Sequence, residues 1–200
     1  MTHWIRYPLL LGFAVLWWWT YTAINSYNSQ PSRAVYWPPK PADIVPTLIQ
    51  PISALIYTFG AAVLLVWPVL LCWDWSRLEL LLFSMFVGTI VGFTCFLVWP
   101  LAIVRPEFGG KKWGESIMRV VFAVDNPANC FPSYHAFFAI LGALFIHAYR
   151  PDQFFEYGIA YALAAAVVVT TITTGQHYFI DPLGGGILAF VSFYLSKWLL

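Results

Sequence analysis

Three ionisable side chains, His135, His177 and Asp181, stand at the ends of strongly apolar segments, where a bilayer makes polar groups expensive. The stretch GQHYFID, residues 175 to 181, sets a histidine and an aspartate four residues apart at the junction of two such segments, and CFPSYHA, residues 130 to 136, opens another. An aspartate beside a histidine can accept a hydrogen bond from one ring nitrogen, which fixes the tautomer and makes the other nitrogen a better nucleophile or base. A second histidine on a different helix is then free to donate a proton to a leaving group. A helix starting at Ser133 turns unpaired backbone N–H groups toward the same place, an arrangement that favours an anion such as phosphate. Cations come from the preceding loop: Arg105 at its start, and Lys112 and Arg119, whose spacing of seven puts them on one face of a helix. Arginine forks suit bidentate phosphate contacts. A nucleophile, an acid and a cationic cradle are the parts that phosphoryl transfer requires.

Each residue also has a plainer reading. Asp181 directly before Pro182 is what an N-cap followed by proline at the first helical position looks like, and Ser133 suits the same capping role. His177 taken singly reads as a boundary histidine, as does His147 at the other end of its segment. Lys111, Lys112 and Arg119 are equally suited to anchoring at lipid headgroups. The chemical reading rests on the whole set being in one place.

Composition says what must put it there. Of 200 residues, 60% are hydrophobic, 20% aromatic and 10% charged, well below the roughly 25% charged residues of a soluble domain, so the chain reads as a membrane protein. A net charge of +1 gives no field to recruit nucleic acid. Cys72, Cys95 and Cys130 form no CxxC pair and read as structural thiols. The first apolar run follows Arg6 and ends in Trp17, Trp18 and Trp19 with no small-residue cleavage site close behind, so it reads as a retained span rather than a signal peptide.

Spans of about 20 apolar residues fall at about residues 7 to 25, 50 to 73, 79 to 104, 132 to 149, 157 to 177 and 182 to 199. The expected fold is an all-α integral membrane protein, six transmembrane helices in one bundle forming a single domain over residues 1–200. A short amphipathic helix from Glu115 to Val124 is expected at the interface between spans three and four. The proline-rich stretch 26 to 49 reads as an extramembrane loop. Each span carries the chain to the opposite face, so the loop 105 to 131, the start of span four and the junction of spans five and six share one face, while both termini lie on the other. Topology therefore sets CFPSYHA and GQHYFID at one depth.

At these residues the sequence resembles the type 2 phosphatidic acid phosphatase superfamily of membrane lipid phosphatases and phosphotransferases, whose motifs read KxxxxxxRP, PSGH and SRxxxxxHxxxD. PSYH at 132 to 135 follows the second motif with Tyr134 for glycine, and His177 with Asp181 follows the HxxxD of the third. The pairing of FPSYH with GQHYFID looks most like the inositol phosphorylceramide synthase branch, and the similarity runs over roughly residues 75 to 195. The resemblance implies that His177 is a nucleophile forming a phosphohistidine, Asp181 its orienting partner, and His135 the acid that protonates the departing alkoxide and then activates the acceptor. It also implies a lipid phosphate, diphosphate or phospholipid headgroup as substrate, no metal or cofactor, and a site on the periplasmic or extracytoplasmic face of a bacterial inner membrane. The chain departs from the pattern where Thr170 and Thr171 stand for the Ser–Arg pair, which removes one cationic clamp. For the first motif, Arg105–Pro106 lacks its lysine, at Val98, whereas Lys112 and Arg119 keep the spacing but meet Val120 in place of proline. Both alignments stand at this stage.

Two other function classes use the same residues. Two histidines and a carboxylate make a plausible metal site, which a chelator would silence. Alternatively the three side chains tie helices together by hydrogen bonds in a lipid carrier or scaffold without activity. Basic residues assigned by crossing number, six on the site face (Arg33, Lys40, Arg105, Lys111, Lys112, Arg119) and four on the other (Arg6, Arg77, Arg150, Lys197), would by themselves place the site inside. Several of the six have a substrate role to explain them.

Overall fold

The computed structural model describes residues 6–36, 50–71, 74–105 and 113–200. Eight α-helices account for most of these residues: α1 (Arg6–Asn28), α2 (Gln50–Leu55), α3 (Ala61–Leu71), α4 (Trp75–Val98), α5 (Trp113–Val124), α6 (Tyr134–Tyr149), α7 (Phe154–Thr173) and α8 (Ile180–Leu199). A π-helical turn, Ile56–Gly60, joins α2 to α3. Four helices among the described residues are long and apolar enough to cross a membrane: Tyr7–Asn28, Ile52–Leu71, Trp75–Val98 and Phe154–Thr173. The 16-residue α6 is apolar but shorter. Helix α8 carries Asp181, three consecutive glycines and Lys197, which dilute its hydropathy.

Helix ends follow local chemistry. Asp74 caps α4 by accepting from the Arg77 N–H at 2.8 Å. The helix then stops at Val98 and not at the expected residue 104, because Pro100 steers Trp99 away from helical angles. The chain leaves instead as a short strand, β2 (Leu101–Ala102), paired in parallel with β1 (Val35–Tyr36). Helix α7 ends at Thr173, four residues before the expected boundary, and Gly175 supplies the φ of 77° that turns the chain out of it. His177 therefore lies in a loop between helices. The amphipathic segment is helical as expected, with Met118 buried in a cluster with Ala54 and Tyr57.

The core centres on α6, which packs against α3, α7 and α8. Phe137, Leu141, Phe145 and Ile146 on it are almost wholly buried, which explains why its apolar residues run around the whole helix rather than along one stripe. Helix α1 packs beside α4, and its last turns are polar on the inner side. Asn25 Nδ2 donates to the carbonyls of Asn126 and Ala128 at 3.3 and 3.2 Å, and its Oδ1 accepts from the Asn126 N–H at 3.1 Å. Asn28 Nδ2 donates to Phe96 O and Asn129 Oδ1, both at 2.8 Å. These amides satisfy the loop 125–130, which has no ladder partner of its own for most of its length.

Two chain segments distant in sequence are joined directly: the Ser133 N–H donates to Asp181 O at 2.9 Å. That contact needs α8 to lie against the start of α6. A Cβ on Gly185 would come within 2.3 Å of Ser133 O, so only glycine admits the approach. Gly185→Ala is expected to lower the melting temperature in detergent, through an overpacking cost of about 1–3 kcal/mol, and to lower any activity that depends on the junction. Wild-type stability and activity in that variant would show that the approach is not required.

Candidate functional site

The loop between α7 and α8 is built around His177. Its backbone N–H and that of Gln176 donate to Thr171 O at 3.1 and 3.2 Å, so the end of α7 anchors the loop. Thr171, which stands where the resemblance calls for arginine, is buried and turns its hydroxyl back to Val168 O at 2.7 Å. The His177 side chain is 9% exposed. Its Nδ1 lies 3.1 Å from Cys130 O and 3.3 Å from Asp181 Oδ2. A carbonyl oxygen only accepts, so Nδ1, facing Cys130 O, is a protonated nitrogen. Ser133 Oγ sits 3.2 Å from Nε2 and is the donor to it.

Asp181 is fully buried. It does not cap α8, whose N-cap is Phe179 with no side-chain bond. Its position inside the first turn lets Oδ2 accept from the Tyr178 N–H at 2.8 Å as well as from His177. The capping expectation is corrected accordingly: the carboxylate closes the turn before the helix and orients the ring. Ser133, by contrast, is the N-cap of α6, accepting from the Ala136 N–H at 3.5 Å. The same hydroxyl thus accepts from the helix and donates to His177.

His135, one residue into α6, faces His177 with ring centroids 6.3 Å apart and planes at 62°. Both rings line one cavity of about 560 Å³. The cavity wall away from the histidines is mostly aromatic and aliphatic, with Trp17, Trp18 and Tyr21 from α1 and Val120, Val121 and Val124 from α5.

The basic residues separate into three cases. Arg105 lines the cavity. It pairs with Asp125 Oδ2 at 3.4 Å, donates to Gln176 Oε1 at 3.0 Å and to Asp125 O, and stacks over the Phe122 ring at 4.5 Å. Arg119 is exposed on α5, donates to Ser116 Oγ at 2.9 Å and is not among the cavity-lining residues. Lys112, like Lys111, lies outside the described residues. Of the two alignments of the first motif, the described geometry brings only Arg105 to the histidines.

Several residues at the site carried no sequence signal that singled them out. Gln176 stands inside the quoted motif yet gave no hint of holding Arg105. Asp125 follows α5, and Tyr21 Oη donates to it at 3.1 Å. Burial raises the Asp125 carboxyl above the ordinary carboxylate range, while Arg105 and the Tyr21 hydrogen bond pull it back. Cys130 contributes its carbonyl to His177, and the metal-competent set among the described residues is Cys130, His177 and Asp181, with ligand atoms all within 4.8 Å. His135, one of the two histidines in the metal reading, is not in that set.

Tyr134, the departure from glycine in the second motif, is also explained by packing. Its ring meets Trp17 and Phe96 edge-on at 5.2 and 5.1 Å, and its hydroxyl donates to Thr89 O at 3.1 Å. It joins α1, α4 and α6 and leaves the adjacent histidine turned toward the cavity.

No curated protein matches the chain. Among solved structures it resembles one described as the first transmembrane PAP2 type phosphatidylglycerolphosphate phosphatase from Bacillus subtilis, with 18% identity and a TM-score of 0.51 over 97% of this chain and 94% of that one. At that identity the likeness speaks for the fold. The PAP2 superfamily matches residues 45–195, three-quarters of the chain and every residue of the histidine site. This integral membrane protein is therefore a member of the PAP2 superfamily.

Proposed function

We propose that this protein is a membrane phosphatase or phosphotransferase acting on a lipid phosphate, diphosphate or phospholipid headgroup through a phosphohistidine on His177. The observation that carries the reading is the pair of rings 6.3 Å apart in one cavity, with Asp181 and Cys130 O behind His177 and Arg105 beside it. Family membership and a structural neighbour described as a lipid phosphatase point the same way.

In this reading His177 Nε2 attacks phosphorus as the bond to the leaving oxygen breaks, and His135 gives that oxygen its proton. His135, now neutral, takes a proton from water or an alcohol, whose oxygen attacks phosphorus and releases His177. The positive charge on the phosphorylated ring is met by Asp181 through Nδ1–H. Arg105 and the first-turn N–H groups of α6 face the phosphoryl oxygens, and the Ser133 hydroxyl transfers its hydrogen bond from Nε2 to one of them. Lys112 and Arg119 serve the incoming headgroup. The aromatic end of the cavity takes the lipid tail.

The chain forms one domain of six crossings, with α6 and α8 counted among them and α5 lying at the interface. The site opens on the periplasmic or extracytoplasmic side of a bacterial inner membrane. Cysteine labelling in sealed vesicles checks the side, since labelling near α5 only from the cytoplasmic compartment would contradict it.

In purified protein given a panel of lipid phosphates and alcohol acceptors, His177→Ala is expected to abolish phosphate release and headgroup transfer. His135→Ala is expected to lower turnover by about 10²–10⁴-fold. If both variants retain full activity, the reading fails. The cluster of Cys130, His177 and Asp181 motivates a second, metal-dependent reading. Orthovanadate inhibition with no effect of a chelator supports phosphohistidine chemistry, whereas loss with chelator and restoration by a divalent ion supports the metal.

A further inference from the structure

We infer that Tyr57 is a positioning residue for His135, and that its aromatic face favours the protonated imidazole over the neutral one. The inference deepens the proposed function, because it rests on His135 being the proton donor.

Tyr57 leaves the second long helix in the π-helical turn Ile56–Gly60. A wider i→i+5 turn is rare and frequently falls at functional sites. Thr58 Oγ1 donates to Ala54 O at 2.7 Å beside it, supplying a side-chain partner to a carbonyl at the irregularity. From this turn the Tyr57 ring stacks on His135 with centroids 4.1 Å apart and planes at 25°. Both rings line the cavity. The remainder of the Tyr57 side chain is packed with Ala54 and with Met118 on α5, and the residue is 2% exposed. The ring therefore cannot swing away from the histidine without opening the packing against α5.

Core packing alone would place an aromatic residue here, but it does not require parallel contact with a histidine of the candidate site. The contact has a chemical consequence. The negative face of an aromatic ring attracts a cation held over it, so imidazolium is stabilised relative to imidazole. That opposes the cost of charging a ring inside an apolar helix bundle. Among the described residues, the titratable groups that line the cavity with His135 and Tyr57 are His177 between α7 and α8, Arg105 after β2, Asp125 after α5, Cys130 before α6, Tyr134 on α6 and Tyr21 on α1. Cationic Arg105 and a protonated His177 oppose charging His135 and anionic Asp125 favours it, while Tyr57 is the group in direct ring contact.

The sign follows from the roles. His135 must be protonated for the first step, so its pKa sets the alkaline limb of turnover. Removing the ring face lowers that pKa and moves the limb to lower pH. The test measures kcat, KM and the pH profile of the purified full-length protein with a lipid phosphate in detergent. Tyr57→Phe keeps the face and is expected to stay within about twofold of wild type with an unmoved limb. Tyr57→Leu is expected to lower kcat about tenfold with little change in KM, and to shift the limb down by about half a pH unit. Where Tyr57→Leu unfolds, 3,4,5-trifluorophenylalanine at the same position keeps the shape and weakens the negative face, and is expected to shift the limb in the same direction relative to Tyr57→Phe.

An unmoved limb in both the leucine and trifluorophenylalanine proteins overturns the inference, as does an equal loss in Tyr57→Phe and Tyr57→Leu, which would assign the role to the hydroxyl. His135→Ala in the same assay separates the two levels of failure. Full activity in that variant and in His177→Ala sinks the proposed function itself, whereas loss in both alongside an indifferent Tyr57 sinks this inference alone.

Discussion

One imidazole nitrogen holds the site together. His177 Nδ1 lies within hydrogen-bond distance of Cys130 O from the segment before α6 and of Asp181 Oδ2 from the first turn of α8. A buried N–H between two oxygens is held in orientation, since turning the ring would take a donor away from a carboxylate and a carbonyl in a water-poor interior. The same junction is closed by the Ser133 N–H on Asp181 O. As a result the Asp181 carboxylate and the Cys130 carbonyl at Nδ1 and the Ser133 hydroxyl at Nε2 hold both nitrogens of one ring, and Nε2 has a single direction in which to act.

The surroundings suit a transient anion. Arg105 is the only cation among the described cavity-lining residues, and Asp125 and Gln176 hold its guanidinium in place. A guanidinium already oriented by neighbours would lose little freedom on meeting a phosphate. Asp125 sets a condition on that arrival, because a second negative charge beside it is unfavourable unless Arg105 is shared between the two. Its carboxyl is shifted upward by burial, which makes it the more able to take up a proton as the anion binds. Helix α1 reaches the same network through Tyr21, and its Asn25 and Asn28 hold the loop that presents Cys130 O. A helix outside the matched 45–195 region thus contributes to the shape of the site within it.

Much of this was legible in the chain. Length and apolar composition announced a helical membrane protein, and the expectation that PSYH and HxxxD meet agrees with the contact of Ser133 with His177 and the nearness of His135 to it. What the sequence could not show is how the ends of the helices are made. Asp181 before Pro182 has the pattern of an N-cap, yet the helix begins earlier and the carboxylate faces backward to the Tyr178 N–H. The choice between Arg105 and the pair Lys112 and Arg119 turned on spacing, and spacing does not say which way a loop folds. Pro100 breaks α4 early, β2 follows, and Arg105 is brought under the Gln176 amide. Tyr57 was invisible for a different reason: an aromatic residue in an apolar helix is ordinary, and a π-helical turn leaves no pattern that hydrophobic periodicity detects.

The central claim is that Nε2 of His177 accepts the phosphoryl group. Rapid quenching of the purified protein with lipid labelled in its phosphate, followed by peptide mapping, tests it most directly. The expected result is an acid-labile, base-stable phosphoryl adduct on His177 that forms and decays at rates consistent with turnover. Turnover without any such adduct, together with inversion of configuration at a chiral phosphorus, would mean a single direct displacement and would contradict the account.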